Sequence, residues 1–192
     1  MYHIDKFPII ILSSPRTGSN LLANVLSNNY PDLKLFLEPD ETKNMQSFID
    51  YATSNNQYIL KLHLKQLYKF PKFINNTIFS NNAFLIRVRR RSIIDQIVST
   101  YIELSRGVWY YNLDTLEKYK DEKILINTTT INIAIQSTKN YNNVIDTLKI
   151  NYDLDLYYED LVEEFGSAST TFITPKPINI DEIYWAIQNQ LR

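Results

Sequence analysis

Phe7-Pro8-Ile9-Ile10-Ile11-Leu12-Ser13-Ser14-Pro15-Arg16-Thr17-Gly18-Ser19-Asn20-Leu21-Leu22 is the stretch on which the architecture turns. Its first part, Phe7 to Ser13, is a continuous apolar run too short for a helix of ordinary length, the pattern of a strand buried on both faces of a parallel sheet. Ser14 to Asn20 ends that run with Pro15 and with Gly18, one of only three glycines in the chain. Leu21, Leu22, Val25 and Leu26 then recur at helical spacing. The stretch is a strand, a loop and a helix.

The same alternation continues outward. Leu33 to Leu37 is a second short apolar run ending in Glu38-Pro39, and Tyr58 to Leu64 alternates as a third strand with Lys61 inside it. Ala83 to Val88 predicts another buried strand. It feeds Ser92 to Leu104, where Ile93, Ile94, Ile97, Val98 and Tyr101 share one helical face. Residues 112 to 130 are polar and weakly patterned, an expected acceptor-side insertion. Ile131 to Ile150 predicts a helix, Asp153 to Tyr158 a last strand, and Tyr158 to Leu161 the start of a short helix. Pro175 and Pro177 precede a closing helix over Asp181 to Leu191, with Asn179 or Asp181 near its cap. Strands alternating with helices predict one three-layer α/β domain over residues 1–192: a mostly parallel sheet, helices on both faces, and ligands at the carboxyl ends of the strands.

Composition narrows the chemistry. The 192 residues are about one domain's worth, and 44% hydrophobic residues suffice for a sizeable core. Mean hydropathy of −0.27 argues against a membrane-resident chain. A formal net charge of −1 gives no general attraction to nucleic acid or anionic lipid, so anion binding must come from a local cluster, and one exists at Arg87 to Arg91. With no cysteine and only His3 and His63, thiol catalysis, Cys-based zinc and a histidine-rich metal site fall away. Met1 to Pro15 lacks the basic flank and long apolar stretch of a signal peptide, so a cytoplasmic protein is expected, and the glycosylation patterns at Asn75 and Asn127 follow from Asn-rich composition. Oligomeric state is not legible.

Two elements can hold an anion. A tight turn feeding a helix aims unpaired backbone N–H groups and the helix dipole at one place, and Arg16, Thr17, Gly18, Ser19 and Asn20 occupy that turn, with side-chain donors from Arg16, Ser19 and Asn20. An ordinary capped turn would carry the same residue types. GxxxxGK[ST] is absent, which disfavours a small P-loop kinase. The second element is Arg91 with Ser99, about two helical turns further on. An arginine fork and a hydroxyl suit a phosphate monoester, and Arg87, Arg89 and Arg90 add to the field. A solvated basic helix face is the competing reading.

The order of these elements resembles the sulfotransferase superfamily: the loop Pro15-Arg16-Thr17-Gly18-Ser19, the R-x7-S pair Arg91 and Ser99 at a strand–helix junction, and Tyr158-Glu159-Asp160-Leu161. Within it, Arg89-Arg90-Arg91, Gln96, Gly107-Val108-Trp109, Glu38-Pro39 and Lys61-Leu62 with Gln66 resemble the trehalose sulfotransferase branch. The resemblance spans most of residues 7–165. The C-terminal Gly-rich nucleotide loop of cytosolic sulfotransferases has no counterpart here.

The resemblance implies a P-loop nucleoside triphosphate hydrolase-like fold and transfer of a sulfuryl group from 3′-phosphoadenosine 5′-phosphosulfate to a hydroxyl acceptor, a carbohydrate or other small molecule, without a metal. Residues 16–20 would hold the 5′-phosphosulfate, and Arg91 and Ser99 the 3′-phosphate. Glu38 is the first choice of base. His63 is the second, since Lys61-Leu62-His63 is similar to the Lys-Thr-His strand of cytosolic sulfotransferases and imidazole titrates near neutrality. Lys61 shares a strand face with His63 and can reach sulfuryl oxygens. Tyr158, with Tyr157 and Trp109, is a candidate to stack on adenine or sugar, although aromatics at strand ends also serve packing. A phosphonucleotide-binding module without catalysis would keep the anion-binding residues and need no base.

Overall fold

The computed structural model describes residues 4–39, 44–63, 66, 76, 82–108, 117–119, 121–165 and 176–192. Five strands, β1 (Ile9–Ser13), β2 (Lys34–Leu37), β3 (Tyr58–His63), β4 (Phe84–Arg89) and β5 (Leu154–Tyr157), form one sheet in the order β2-β3-β1-β4-β5. Every pairing is parallel. Six described helices accompany them: α1 (Ser19–Asn29), α2 (Met45–Ser54), α3 (Ile93–Arg106), α4 (Thr128–Thr147), α5 (Tyr158–Phe165) and α6 (Ile180–Leu191).

The unbroken apolar run of β1 explains its central place, because a strand covered on both faces has no polar side to offer. Ile9 to Leu12 are all fully buried. Ile10 and Leu12 pack with Phe36, Phe48 and Ile145, against α2 and α4. Ile9 and Ile11 pack with Leu22, Leu26 and Leu161, against α1 and α5. Each such side chain contributes about 1.5–3 kcal/mol of burial. A third cluster joins α3, α4 and α6 through Tyr101, Ile135, Ile183 and neighbours. The chain thus has the expected three-layer α/β arrangement, an all-parallel sheet with helices on both faces.

Several boundaries differ from the sequence expectation. The helix expected from Ile131 begins at Thr128, because the Asn127 side chain accepts from the Thr130 N–H at 2.9 Å and caps a turn of three threonines. That turn belongs to the polar stretch expected as an insertion. Tyr158 opens α5, as expected, while β5 ends one residue sooner than expected, at Tyr157. Asn179 is the N-cap residue of α6, as expected, but its side chain makes no capping bond: its amide pins the Ile124 backbone through both N–H and C=O, at 3.1 and 2.9 Å. α2 had no expectation behind it, since Phe48 is its one buried residue and a single anchor makes no stripe. Leu64, Asn75 and Trp109 lie outside the described residues. Among the described residues no helix is long and apolar enough to cross a membrane.

Candidate active site

The first loop leaves β1 at the centre of the sheet and is held from three sides. Within it, Thr17 Oγ1 donates to the Ser14 carbonyl at 2.9 Å. Gln96 of α3, buried, donates through Nε2 to the Pro15 carbonyl at 2.7 Å, and its own carbonyl accepts from Asn142 Nδ2 at 2.9 Å. Asn142, on α4, also accepts from Ser14 Oγ at 2.5 Å. Two residues take left-handed backbone, Arg16 at φ 64° and Gly18 at φ 77°. Gly18 stands at the N-cap of α1, where no side chain caps the first turn. Thr17 and Ser19 are buried, and Asn20 Oδ1 is buried without a hydrogen-bond partner among the described residues. An uncapped helix start with an unsatisfied polar atom beside it suits an anionic ligand bearing a hydroxyl or N–H donor.

Arg16 links this loop to α3. Its Nε donates to Ser99 Oγ at 3.0 Å, and its Nη1 stands 2.5 Å from Glu103 Oε1. Ser99 and Glu103 are one helical turn apart and share a face, so the guanidinium spans both. The Glu103 side chain is 0% exposed. Burial drives its pKa from the ordinary 4.5 up to about 8, although Arg16 pulls the other way.

Arg91 and Ser99 do not meet. Arg91 precedes α3, half its side chain is exposed, and its guanidinium makes a bidentate pair with Asp160 at 2.7 and 2.8 Å while lying over Tyr157. The arginine that reaches the first loop is Arg90, whose Nη1 stands 3.4 Å from the Arg16 carbonyl and whose guanidinium lies 4.6 Å from the Tyr158 ring centre. Arg87 and Arg89 share Asp155. The basic cluster is therefore largely neutralised by β5 and α5.

A second group forms across the sheet. Parallel register places Ser13 beside His63 and Leu37 beside Lys61. Glu38, one residue past β2, donates its N–H to the Lys61 carbonyl at 2.9 Å. Its carboxylate pairs with Lys61 Nζ and lies 2.9 Å from His63 Nε2. Lys61 Nζ is 3.0 Å from the same ring nitrogen, and His63 Nδ1 faces the Ser13 carbonyl at 3.3 Å. Gln66 accepts from the His63 N–H at 2.8 Å.

A residue that precedes proline favours extended backbone, yet Glu38 before Pro39 is left-handed, φ 46°. Such a conformation costs a non-glycine residue about 1–3 kcal/mol. The Lys61 and His63 contacts, which need the carboxylate turned back over β3, offset it.

Burial alone would raise the Glu38 pKa, but the His63 hydrogen bond and the charges of His63 and Lys61 bring it down from 4.5 to about 2. His63 is lowered, first by burial and then by Lys61, against the pull of Glu38. Burial also lowers Lys61, against the pull of Glu38. Arg16 and Glu103 act on Lys61, and Glu38 and Lys61 act on Glu103, which couples the two groups electrostatically. Among the described residues no three His, Asp or Glu side chains gather as they would around a metal ion.

Sequence reasoning passed over Glu103 and Asn142. Glu103 had a signal, lying four residues after Ser99 on the same helix. Asn142 had none, because only the packing of α4 against α3 brings it to the loop.

No family model matches the chain, and no curated protein matches it. Among solved structures it is similar to mouse sulfotransferase SULT7A1 complexed with PAP, at 17% identity and a TM-score of 0.42, over 97% of this chain. It spans 66% of the length of that chain.

Proposed function

We propose that the chain is a sulfotransferase that moves a sulfuryl group from 3′-phosphoadenosine 5′-phosphosulfate to a hydroxyl acceptor, a carbohydrate by its resemblance to the trehalose branch. The observation that carries this reading is the pairing, at the carboxyl ends of neighbouring strands, of an uncapped loop–helix start holding Arg16 with the Glu38–Lys61–His63 group.

In-line sulfuryl transfer needs a proton acceptor on the attacking hydroxyl and positive charge for the sulfuryl and leaving oxygens. Residues 16–20 and Arg16 supply donors for the leaving phosphate. The uncapped start of α1, with its free backbone N–H groups, fits a phosphate-bearing nucleotide there. Arg91, released from Asp160, and Ser99 supply contacts for the 3′-phosphate.

Glu38 takes the acceptor's proton. It is ionised, and its side chain is more exposed than that of His63, 19% against 12%. Both His63 ring nitrogens are already engaged. The low Glu38 pKa belongs to the resting ion pair. When Lys61 turns to the sulfuryl oxygens, the carboxylate loses a stabilising charge and its proton affinity rises.

Two measurements test the reading. 3′-Phosphoadenosine 5′-phosphate is expected to raise the melting temperature far more than AMP or ATP, and equal responses sink it. Glu38→Gln is expected to lower turnover by about 10² to 10⁴ with nucleotide affinity little changed, and His63→Asn to do less. Abolished turnover in His63→Asn with near-normal Glu38→Gln moves the base to His63. Nucleotide binding with no turnover on any hydroxyl acceptor identifies a binding module.

A further inference from the structure

Glu103 has no part in the chemistry above, yet its carboxylate occupies the guanidinium on which the first loop depends. It is wholly buried, it lies 2.5 Å from Arg16 Nη1, and the same guanidinium donates from Nε to Ser99 one turn away. An arriving dianion and Glu103 would compete for one cation in a dry site, where two like charges beside each other are expensive.

We propose that Glu103 is a positioning residue that holds Arg16 against α3 when the loop is empty, and that at alkaline pH, where the carboxyl is ionised and stands in for the anion, an anion arriving at residues 16–20 takes the guanidinium over while Glu103 takes a proton from solvent. The inference rests on the anion-binding reading of the first loop. It explains why a fully buried carboxylate sits on the loop-facing side of α3, where an apolar residue would pack without a desolvation cost.

The charges around Glu103 decide the direction of the linkage. From the loop it faces Arg16. Lys61 of β3 and Glu38 after β2 act on it at longer range. From α4, Thr138 meets Thr100 of α3, a neutral contact. On α3 itself, Arg106 is paired with Glu122 and Asp95 with Tyr184 of α6. Arg16 is therefore the one group holding the carboxylate ionised at contact distance. Neutralising Arg16 with an anion raises the pKa from its resting value near 8, and the bound state carries one more proton than the free state at alkaline pH.

The test is calorimetry of 3′-phosphoadenosine 5′-phosphate binding at about pH 6.5 and about pH 9, in buffers of different ionisation enthalpy, with thermal protection by inorganic sulfate as a second arm. Wild-type protein is expected to take up close to one proton per nucleotide at the higher pH. Its affinity should fall by up to about tenfold per pH unit above about pH 8. Glu103→Gln should bind with no linked proton and, at the higher pH, about tenfold more tightly than wild type.

Absence of proton uptake in wild type overturns the proposal, a readout that needs no variant to fold. So does Glu103→Gln retaining the wild-type slope, which would assign the proton to Lys61. Glu103→Leu repeats the comparison should Gln disturb the fold. If the nucleotide protects no better than sulfate but sulfate protection is pH-linked through Glu103, the nucleotide reading fails and the role of Glu103 stands.

Discussion

The Tyr158 ring lies against Gly18 so closely that a Cβ on the glycine would stand 2.2 Å from Tyr158 Cδ2 and 3.0 Å from Cε2. Two independent constraints therefore meet at one residue, the ring and a φ of 77° that L side chains rarely adopt.

Gly18→Ala is accordingly expected to cost more than the about 1–2 kcal/mol of a left-handed alanine alone. Tyr158 must move, and with it the contact of its ring with the Arg90 guanidinium. Urea denaturation of Gly18→Ala, Tyr158→Ala and the double variant separates the terms. A cost of Gly18→Ala that is smaller in the Tyr158→Ala background confirms the clash, and an unchanged cost leaves backbone strain as its whole cause.

Gln96 is the buried tether of the first loop. Gln96→Leu removes its bonds to the Pro15 carbonyl and Asn142, leaving the carbonyl short of one bond and Asn142 short of two, and is expected to cost about 1–3 kcal/mol of stability. Nucleotide affinity should fall as well, since the loop loses its link to α3. Hydrogen exchange at residues 14–18 is the direct measurement. Protection equal to wild type there would show that Thr17 and Asn142 suffice.

Stability should respond to pH from both sides. The Glu38 pKa falls from 4.5 to about 2 on folding, so its contribution is complete above 4.5 and is lost as pH drops toward 2. Glu103 is raised from 4.5 to about 8, so the folded state holds the extra proton between those values and stability declines as pH rises through them. Denaturant midpoints across this range should show Glu38→Gln flattening the acid limb and Glu103→Gln the alkaline one. A Glu103→Gln profile parallel to wild type between about pH 4.5 and 8 would mean that the carboxylate is not the titrating group.

Arg91→Ala should leave the melting temperature nearly unchanged, because its pair with Asp160 is exposed. Affinity for 3′-phosphoadenosine 5′-phosphate is expected to drop at least about tenfold relative to a nucleotide lacking the 3′-phosphate. If Arg90→Ala produces that selective loss and Arg91→Ala does not, Arg90 is the 3′-phosphate ligand, in keeping with its place beside the first loop.

Local pattern carried much of this molecule. A both-faces-buried run at Ile9 to Leu12, the turn at Ser14 to Gly18 and the amphipathic face of α3 are each written in adjacent residues, because period and turn chemistry act over a few positions. They suffice for a parallel α/β layer structure and for naming Arg16, whereas Glu38, Lys61 and His63 are named through the family resemblance. Which of these meet was decided elsewhere. Ser13 comes to His63, and Glu38 to Lys61, only through strand register between segments far apart in sequence. Arg16 chooses Ser99 and Glu103, and Arg91 chooses Asp160, because α3 and α5 pack where the sheet's two faces put them. Apolar burial is non-directional and sets those placements through the fit of whole surfaces, so no short stretch of sequence holds the information for a contact between side chains on different elements.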